Sequence, residues 1–420
     1  MIDPHHKVVI LVIWAVTYLG IAIGRVPGLK LNRAGIALLG AIAMMTFGGL
    51  STTAAVSYVN WPTILLLFGF FVLSAQLQLS GFYARVADGI SARLGHPAKF
   101  LLVMMLAAGG LSAVLNNDVV CLVFTPIVAT ALVRKQLNPI PYLVALAISS
   151  NIGAAATLIG NAQDMMIGQV ARIDFGAYLL WSAAPVIFAM GGAYGIIWML
   201  SRKTIHCPLV RNLKLDQTEC PYHRSHVIKG LIILAVVIGL FFLHWPKEII
   251  VLAAAGIHLA SHKFRTDDLL GQVNWSILVL FMGLFVVTEA FQSTGYGEQA
   301  VHWLARGGFD LHLPVVLITA TALLSNLISN AAAVVLLLKI VAPLHFTSAC
   351  VLALANSFGG SLLIIGSVAN IIVVQQARQL GIKISFLDFS RLGVPVTIVA
   401  LGGLLAWVAL LSGSPFLTAP

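Results

Sequence analysis

Two apolar segments, residues 100–133 and 313–345, have lengths that fit no simple membrane crossing. One helical crossing of a hydrocarbon core about 30 Å thick takes roughly 20 residues. Each segment is too long for one crossing and too short for two crossings joined by a turn. Each also carries polar residues near its middle: Asn116, Asn117 and Asp118 in the first, Ser325, Asn326, Ser329 and Asn330 in the second. A charged group at that depth costs roughly 2.5 to 3.5 kcal/mol on insertion scales. Two half-helices that turn back at a polar tip inside the membrane answer both the length and the cost. Non-helical backbone is tolerated there only where it is buried in protein or lines a cavity.

The rest of the chain is apolar from end to end. Of its 420 residues 60% are hydrophobic and only 9% charged, with a mean hydropathy of +0.99. A soluble domain carries about 25% charged residues. Crossings are expected at about 8–24, 33–50, 61–79, 142–170, 177–200, 228–244, 247–261, 275–292, 347–374 and 391–411. The expected fold is an all-α polytopic membrane protein, with about ten transmembrane helices and two re-entrant helical hairpins. The strand-period alternation of a membrane barrel is absent. No small-residue cleavage site follows Val8 to Gly24, so this run reads as a first crossing and not as a removed signal peptide. The cysteines Cys121, Cys207, Cys220 and Cys350 are scattered and form no disulfide framework.

A formal charge of +10 does not make a nucleic-acid binder of such a chain, because basic residues collect in the cytoplasmic loops of membrane proteins. Threading ten crossings, with each hairpin returning to its own side, sorts them sharply. Lys7, Arg172, Lys247 and Arg306 fall on one face, Lys339 stays within the membrane, and every other Lys and Arg falls on the opposite face. The crowded face is then cytoplasmic and both termini lie outside an inner membrane. Hairpin one opens from the cytoplasm and hairpin two from the other side.

The sequence also repeats. Trp61-Pro-Thr-Ile-Leu-Leu-Leu-Phe-Gly69 matches Trp275-Ser-Ile-Leu-Val-Leu-Phe-Met-Gly283, and Ser80-Gly81-Phe82 matches Thr294-Gly295-Tyr296. Thr157-Leu-Ile-Gly160 to Asp164 matches Leu363-Ile-Ile-Gly366 to Asn370, and Pro185 matches Pro395. Residues 1–200 are expected to form a first repeat, with hairpin 100–133 and a broken helix at 142–170. Residues 201–227 are a cytoplasmic linker. Residues 228–420 form a second repeat, with hairpin 313–345 and a broken helix at 347–374. Five crossings per repeat is odd, so the repeats are inverted. Inverted repeats with discontinuous helices near the midplane are a common architecture of secondary transporters.

The polar residues at these breaks are the candidate site. Asn116, Asn117 and Asp118 sit at tip one, and Ser329 and Asn330 at tip two. Asn151, Thr157, Gly160, Asn161 and Asp164 interrupt the first broken helix; Asn356, Ser361, Gly366 and Asn370 interrupt the second. Glycine permits the unwinding. Helix capping is the plain alternative for the tip amides, and small-residue packing for the glycines. Asp118 and Asp164 are candidate proton carriers. Lys339 is either a fixed cation compensating one of them or a snorkelling residue, and Glu289 reads as a rim carboxylate. His206, Cys207, Cys220, His223 and His226 match no zinc pattern, and a buried Cys121 is more often a small core residue than a ligand.

At these hairpins and breaks the chain resembles the ion transporter superfamily of arsenite/antimonite permeases, NhaD-type antiporters and divalent-anion or citrate carriers. Asn117-Asp118-Val-Val-Cys-Leu-Val-Phe-Thr-Pro126-Ile-Val is similar to the Asn-Asp…Thr-Pro-Ile-Val segment of arsenite permeases, the branch whose pattern fits best. Asn151-Ile-Gly153…Ile159-Gly160-Asn161 resembles the family's Asn-Ile-Gly…Ile-Gly-Asn segment, and Ser329-Asn330-Ala331 its Ser-Asn-Thr/Ala tip. The resemblance implies that tips and breaks bind substrate and coupling ion at the midplane. It departs at Asp164, where the family has Asn, at Ala162-Gln163, where it has Pro-Pro, and at tip one, which is not Ser-Asn-Thr. The implied function is secondary transport of a small anion or metalloid oxyanion, with arsenite or antimonite efflux the best single candidate. A di- or tricarboxylate carrier and a sodium/proton antiporter are the alternatives. No cofactor or metal is expected, and a proton is a better coupling ion than sodium. Expected partners are the lipid bilayer, a second copy of the chain, and a separate ATPase subunit if the protein is an arsenite pump. The chain itself has no Walker A, HExxH or GxSxG sequence, which points to a transporter and not an enzyme.

Overall fold

A computed structural model describes residues 4–24, 31–91, 96–204, 222–243, 245–260, 263–342 and 344–411. Among them the regular structure is entirely helical. The first half contains α1 (Pro4–Ile23), α2 (Arg33–Thr46), α3 (Thr52–Tyr58), α4 (Trp61–Leu79), α5 (Phe82–Ser91), α6 (Pro97–Val114), α7 (Asn117–Arg134), α8 (Ile140–Ala154), α9 (Ala162–Val170) and α10 (Phe175–Ser201). The second contains α11 (Arg224–Leu240), α12 (Lys247–Leu259), α13 (Thr266–Gly271), α14 (Trp275–Gln292), α15 (Tyr296–Arg306), α16 (Pro314–Ile328), α17 (Asn330–Ile340), α18 (Phe346–Gly359), α19 (Val368–Gln379) and α20 (Phe386–Leu411). Most of the expected linker, with His206, Cys207 and Cys220, lies outside the described residues.

Local sequence sets the boundaries. Asn60 and Asn274 accept from the third-residue amides of α4 and α14, at 3.0 and 3.3 Å, as caps should. Pro97 and Pro314 open α6 and α16, where the missing N–H costs nothing. Among the described residues seven helices are long and apolar enough to cross a membrane by length and composition: α1, α4, α6, α7, α10, α14 and α20. The expected crossings at 33–50 and 247–261 are shorter than drawn. Helices α2 and α12 have 14 and 13 residues, about 20 Å at 1.5 Å per residue. They are held by close packing. Gly69 of α4 lies against the Val251 backbone of α12, and Gly283 of α14 against the Ala37 backbone of α2.

Hairpin one is also longer than expected. Its arms α6 and α7 have 18 residues each, nearly the thickness of the core. It still turns back inside the bundle. Its base lies at the end of the molecule where Tyr142 and Tyr194 donate to the carbonyls of Pro97 and Ala98. Its tip meets Gly160, in the break between α8 and α9. Helix α9 then runs on from that level to the opposite end, where Lys247 Nζ donates to Ile173 O and Gln169 to Glu248. Helices α16 and α17 form the second hairpin, with Ser329 alone at the tip. Two short amphipathic helices, α5 and α15, follow α4 and α14 and were not expected from the hydropathy pattern.

Packing partners come in matched pairs. Helix α6 packs on α8 and α16 on α18; α7 packs on α19 and α17 on α9; α10 packs on α20. Gly109 and Gly153 let α6 and α8 approach so closely that a Cβ at Gly153 would overlap the Gly109 backbone. At the corresponding crossing, a Cβ at Gly359 would sit 2.8 Å from the Ala322 Cα.

Candidate functional site

The two tips and the two breaks meet at one small cavity. It is lined by Asn117 and Asp118 of α7, Asn161, Ala162 and Gln163 at the start of α9, Asn330 and Ala331 of α17, and Ser367 and Val368 at the start of α19. Asn151, Ser357 and the α14 residues Ile277, Leu280 and Phe281 close it. Four half-helices therefore point their N-termini at the same space. Each such end carries about half a positive charge from its unpaired N–H groups. No Lys, Arg or His lines the cavity, so the positive potential there comes from backbone. Its volume, about 30 Å³, holds one or two waters or a small ion.

Polar side chains knit the two halves across this point. Asn151 Nδ2 donates to Asn370 Oδ1 at 2.9 Å, and Ser367 Oγ donates to Asn151 Oδ1 at 2.9 Å. On the other side Asn161 Nδ2 donates to Asp164 Oδ2 at 2.6 Å and to Ser357 Oγ at 3.0 Å, and Ser357 Oγ donates to Asp164 Oδ2 at 3.3 Å. Asn151, Asn161 and Asp164 stand 206 positions before Ser357, Ser367 and Asn370. The two clasps are thus one arrangement built twice, with the halves exchanging roles.

The candidate residues divide by what they touch. Asn117 and Asp118 reach the cavity, and Asn117 Nδ2 also donates to Asn151 Oδ1 at 3.4 Å. Asn116 does not line it. Its Oδ1 caps α7 by accepting from the Asp118 amide at 2.8 Å, so capping is its role. Thr157 Oγ1 donates to Ala113 O, fixing the break against hairpin one. Gly160 is required because a Cβ would overlap the carbonyls of Ala154 and Ser112. At Gly366 an added Cβ would meet the end of the Asn326 side chain instead. The carbonyls freed by unwinding α8 are taken by Tyr178 and Ser182 of α10, which donate to Ala155 and Ala156 at 3.0 and 2.8 Å. Asn370 Nδ2 does the same for Gly360 and Leu363.

Unpartnered polar atoms gather mainly in the second half. Asn356 lacks partners for both side-chain atoms, as do Ser361 Oγ, Ser329 Oγ and Asn330 Oδ1, all buried. Ser329 has φ 80° and ψ 147°, a backbone region that favours glycine and costs a side-chain-bearing residue about 1–3 kcal/mol. Asn356, Ser361 and Asp164 sit behind the cavity wall and not on it.

Ser357, Ser367 and Gln163, within the polar stretches that interrupt the two broken helices, also line the site. The repeat offset was the signal for the two serines, since it carries Asn151 to Ser357 and Asn161 to Ser367. Nothing local marks Ile277, Leu280 or Phe281.

The sequence profile of the citrate transporter family, CitMHS, matches residues 9–349. The chain belongs to this family. It is a multi-pass membrane transporter and not an enzyme. An uncharacterized transporter of Mycobacterium tuberculosis is 30% identical over 361 residues, covering 82% of this chain and 84% of the relative. A silicon efflux transporter of Oryza sativa subsp. japonica is 26% identical, covering 89% and 92%. The solved YdaH transporter of Alcanivorax borkumensis, described as having an unusual topology, shares the fold with a TM-score of 0.58 at 13% identity, over 99% of this chain and 100% of its own.

In this transporter Lys339 is not beside the site. Its Nζ pairs with Glu289 Oε2 at 2.6 Å, with the two side chains 38% and 30% exposed. Nine residues of helix separate it from Asn330, about 13 Å along the axis. It compensates Glu289, not Asp118 or Asp164.

Proposed function

We propose that the protein is a secondary carrier for a small oxyacid, with arsenite or antimonite efflux the best single candidate. One observation carries this reading: four half-helix N-termini converge on a cavity that holds a carboxylate and amides but no basic side chain. The N-termini offset the charge of Asp118. An undissociated metalloid acid presents only hydroxyls, which donate to Asp118 and to the unpartnered Asn330 Oδ1. A proton arriving at Asp118 removes that acceptor, so proton and substrate compete and exchange. The silicon efflux relative handles a metalloid too, which supports the class. Access alternates as the hairpins and broken helices shift against α2, α4, α12 and α14. The two halves act as inverted repeats in the cytoplasmic membrane, with both termini outside. A second copy of the chain and a separate ATPase subunit remain part of the proposal as partners.

A di- or tricarboxylate substrate is the second reading, favoured by the family's description and by the affinity of helix N-termini for carboxylates. Vesicles reconstituted with the protein and given an imposed pH gradient separate the two. Arsenite flux driven by that gradient, and lost in Asp118→Asn, is the expected result. Citrate flux without arsenite flux would replace the first reading by the second. Sodium/proton exchange with neither would sink both.

A further inference from the structure

Asn370 uses both ends of its side-chain amide. Its Oδ1 accepts from Asn151, and its Nδ2 donates to Gly360 O at 2.7 Å and Leu363 O at 2.9 Å. Asp164 holds the matching place in the first half. Its Oδ2 accepts from Asn161 and from Ser357, the match of Asn151. Its Oδ1 therefore takes the place of the donating nitrogen of Asn370. The carbonyls that match Gly360 and Leu363, 206 positions earlier, belong to Ala154 and Thr157. Asp164 is 0% exposed, and its Oδ1 has no hydrogen-bond partner. An ionised Oδ1 without a partner is an uncompensated buried charge, whereas a protonated one is a donor, as the matching nitrogen of Asn370 is.

We infer that Asp164 is a positioning residue that keeps a proton on Oδ1 in the folded protein, standing in for asparagine, and that Asp118 alone carries the coupling proton. The hydrogen bonds of Asp164 fix Asn161, the cap of α9, and so aim that helix N-terminus at the cavity. The last clause rests on the transport reading above; the protonation does not. The surroundings of Asp164 suit a neutral acid. No cation pairs with it among the described residues. Helices α4, α17 and α18 pack on α9. Of these α4 carries no titratable side chain, α17 carries Lys339, already paired with Glu289, and α18 carries Cys350. Tyr178 of α10 donates to Ala155 O in the break beside Asp164, and Asp118 lies on the cavity that Asn161 lines.

The test is thermal unfolding of the full-length protein in lipid nanodiscs from about pH 6 to about pH 10, where an unfolded carboxylate is ionised throughout. A proton bound when folded and released on unfolding makes stability fall as pH rises. The wild type and Asp118→Asn are expected to lose stability with pH more steeply than Asp164→Asn, by roughly 1 to 2 °C per pH unit. In the vesicle assay Asp164→Asn is expected to be at least about tenfold more active than Asp164→Ala, a gap of about 1.4 kcal/mol, and to keep the wild-type pH profile. Parallel stability curves for the wild type and Asp164→Asn would overturn the inference. So would stabilisation by sodium of the wild type but not of Asp164→Asn, which would make Oδ1 a cation ligand. The unfolding curves need no substrate, so a failure of the arsenite assay leaves them intact.

Discussion

Lys339 shows how far a residue's meaning depends on its neighbours. In the sequence it is a lone cation in an apolar run, four positions before Pro343, and Glu289 is a lone acid 50 positions earlier. In the fold they are one ion pair at the base of hairpin two. Partly exposed pairs contribute about 0–1 kcal/mol. Lys339→Met is therefore expected to keep transport within about twofold of wild type and to move the unfolding midpoint by no more than a pair of that size allows. Loss of the pH-driven flux in this variant would return Lys339 to the site. Asn116 and Asp118 teach the opposite lesson. They are two residues apart, yet one caps a helix and the other faces a cavity, because Asn116 stands just outside α7 in extended backbone and Asp118 lies in its first turn.

The elements are held at their crossings by missing side chains. Hairpin one reaches the cavity because α6 slides along α8 on the contact of Gly109 with Gly153. Forcing atoms into a closed contact costs typically 1–3 kcal/mol, and more where backbone meets backbone. Gly153→Val is expected to lower the unfolding midpoint and the yield of folded protein, while Gly110→Val, where a Cβ meets open space, is expected to leave both unchanged. Size-exclusion and thermal unfolding of the two variants make the comparison. The hairpins themselves were readable from length and polarity, because a tip in the membrane leaves polar residues amid apolar ones. Their true arm lengths were not, since apolar residues look alike whether they face lipid or protein. The short helices α2 and α12 escaped for the same reason.

For the whole molecule, the sorting of charge and the direction of the hairpins make one prediction. With the native cysteines replaced, Lys135→Cys at the base of hairpin one should react with a membrane-impermeant thiol reagent only after cells are opened. Ser51→Cys, exposed between α2 and α3 at the other end, should react in intact cells. Reversed labelling would invert the orientation, and labelling of both in intact cells would break the threading.

Hydropathy and the internal repeat determined the class of this protein from local sequence. Each follows from the bilayer, which demands apolar length, satisfied backbone and sorted charge from the local sequence. The same repeat carried the places of Ser357 and Ser367, within the polar stretch of the second broken helix. Tertiary structure alone decided which polar groups share a cavity and which pair elsewhere. Contacts such as Asn151 with Asn370 or Lys339 with Glu289, and the shared cavity of Phe281 with both tips, join residues tens to hundreds of positions apart. A sequence records the types of such residues, but the distance between their side chains exists only once the helices have packed.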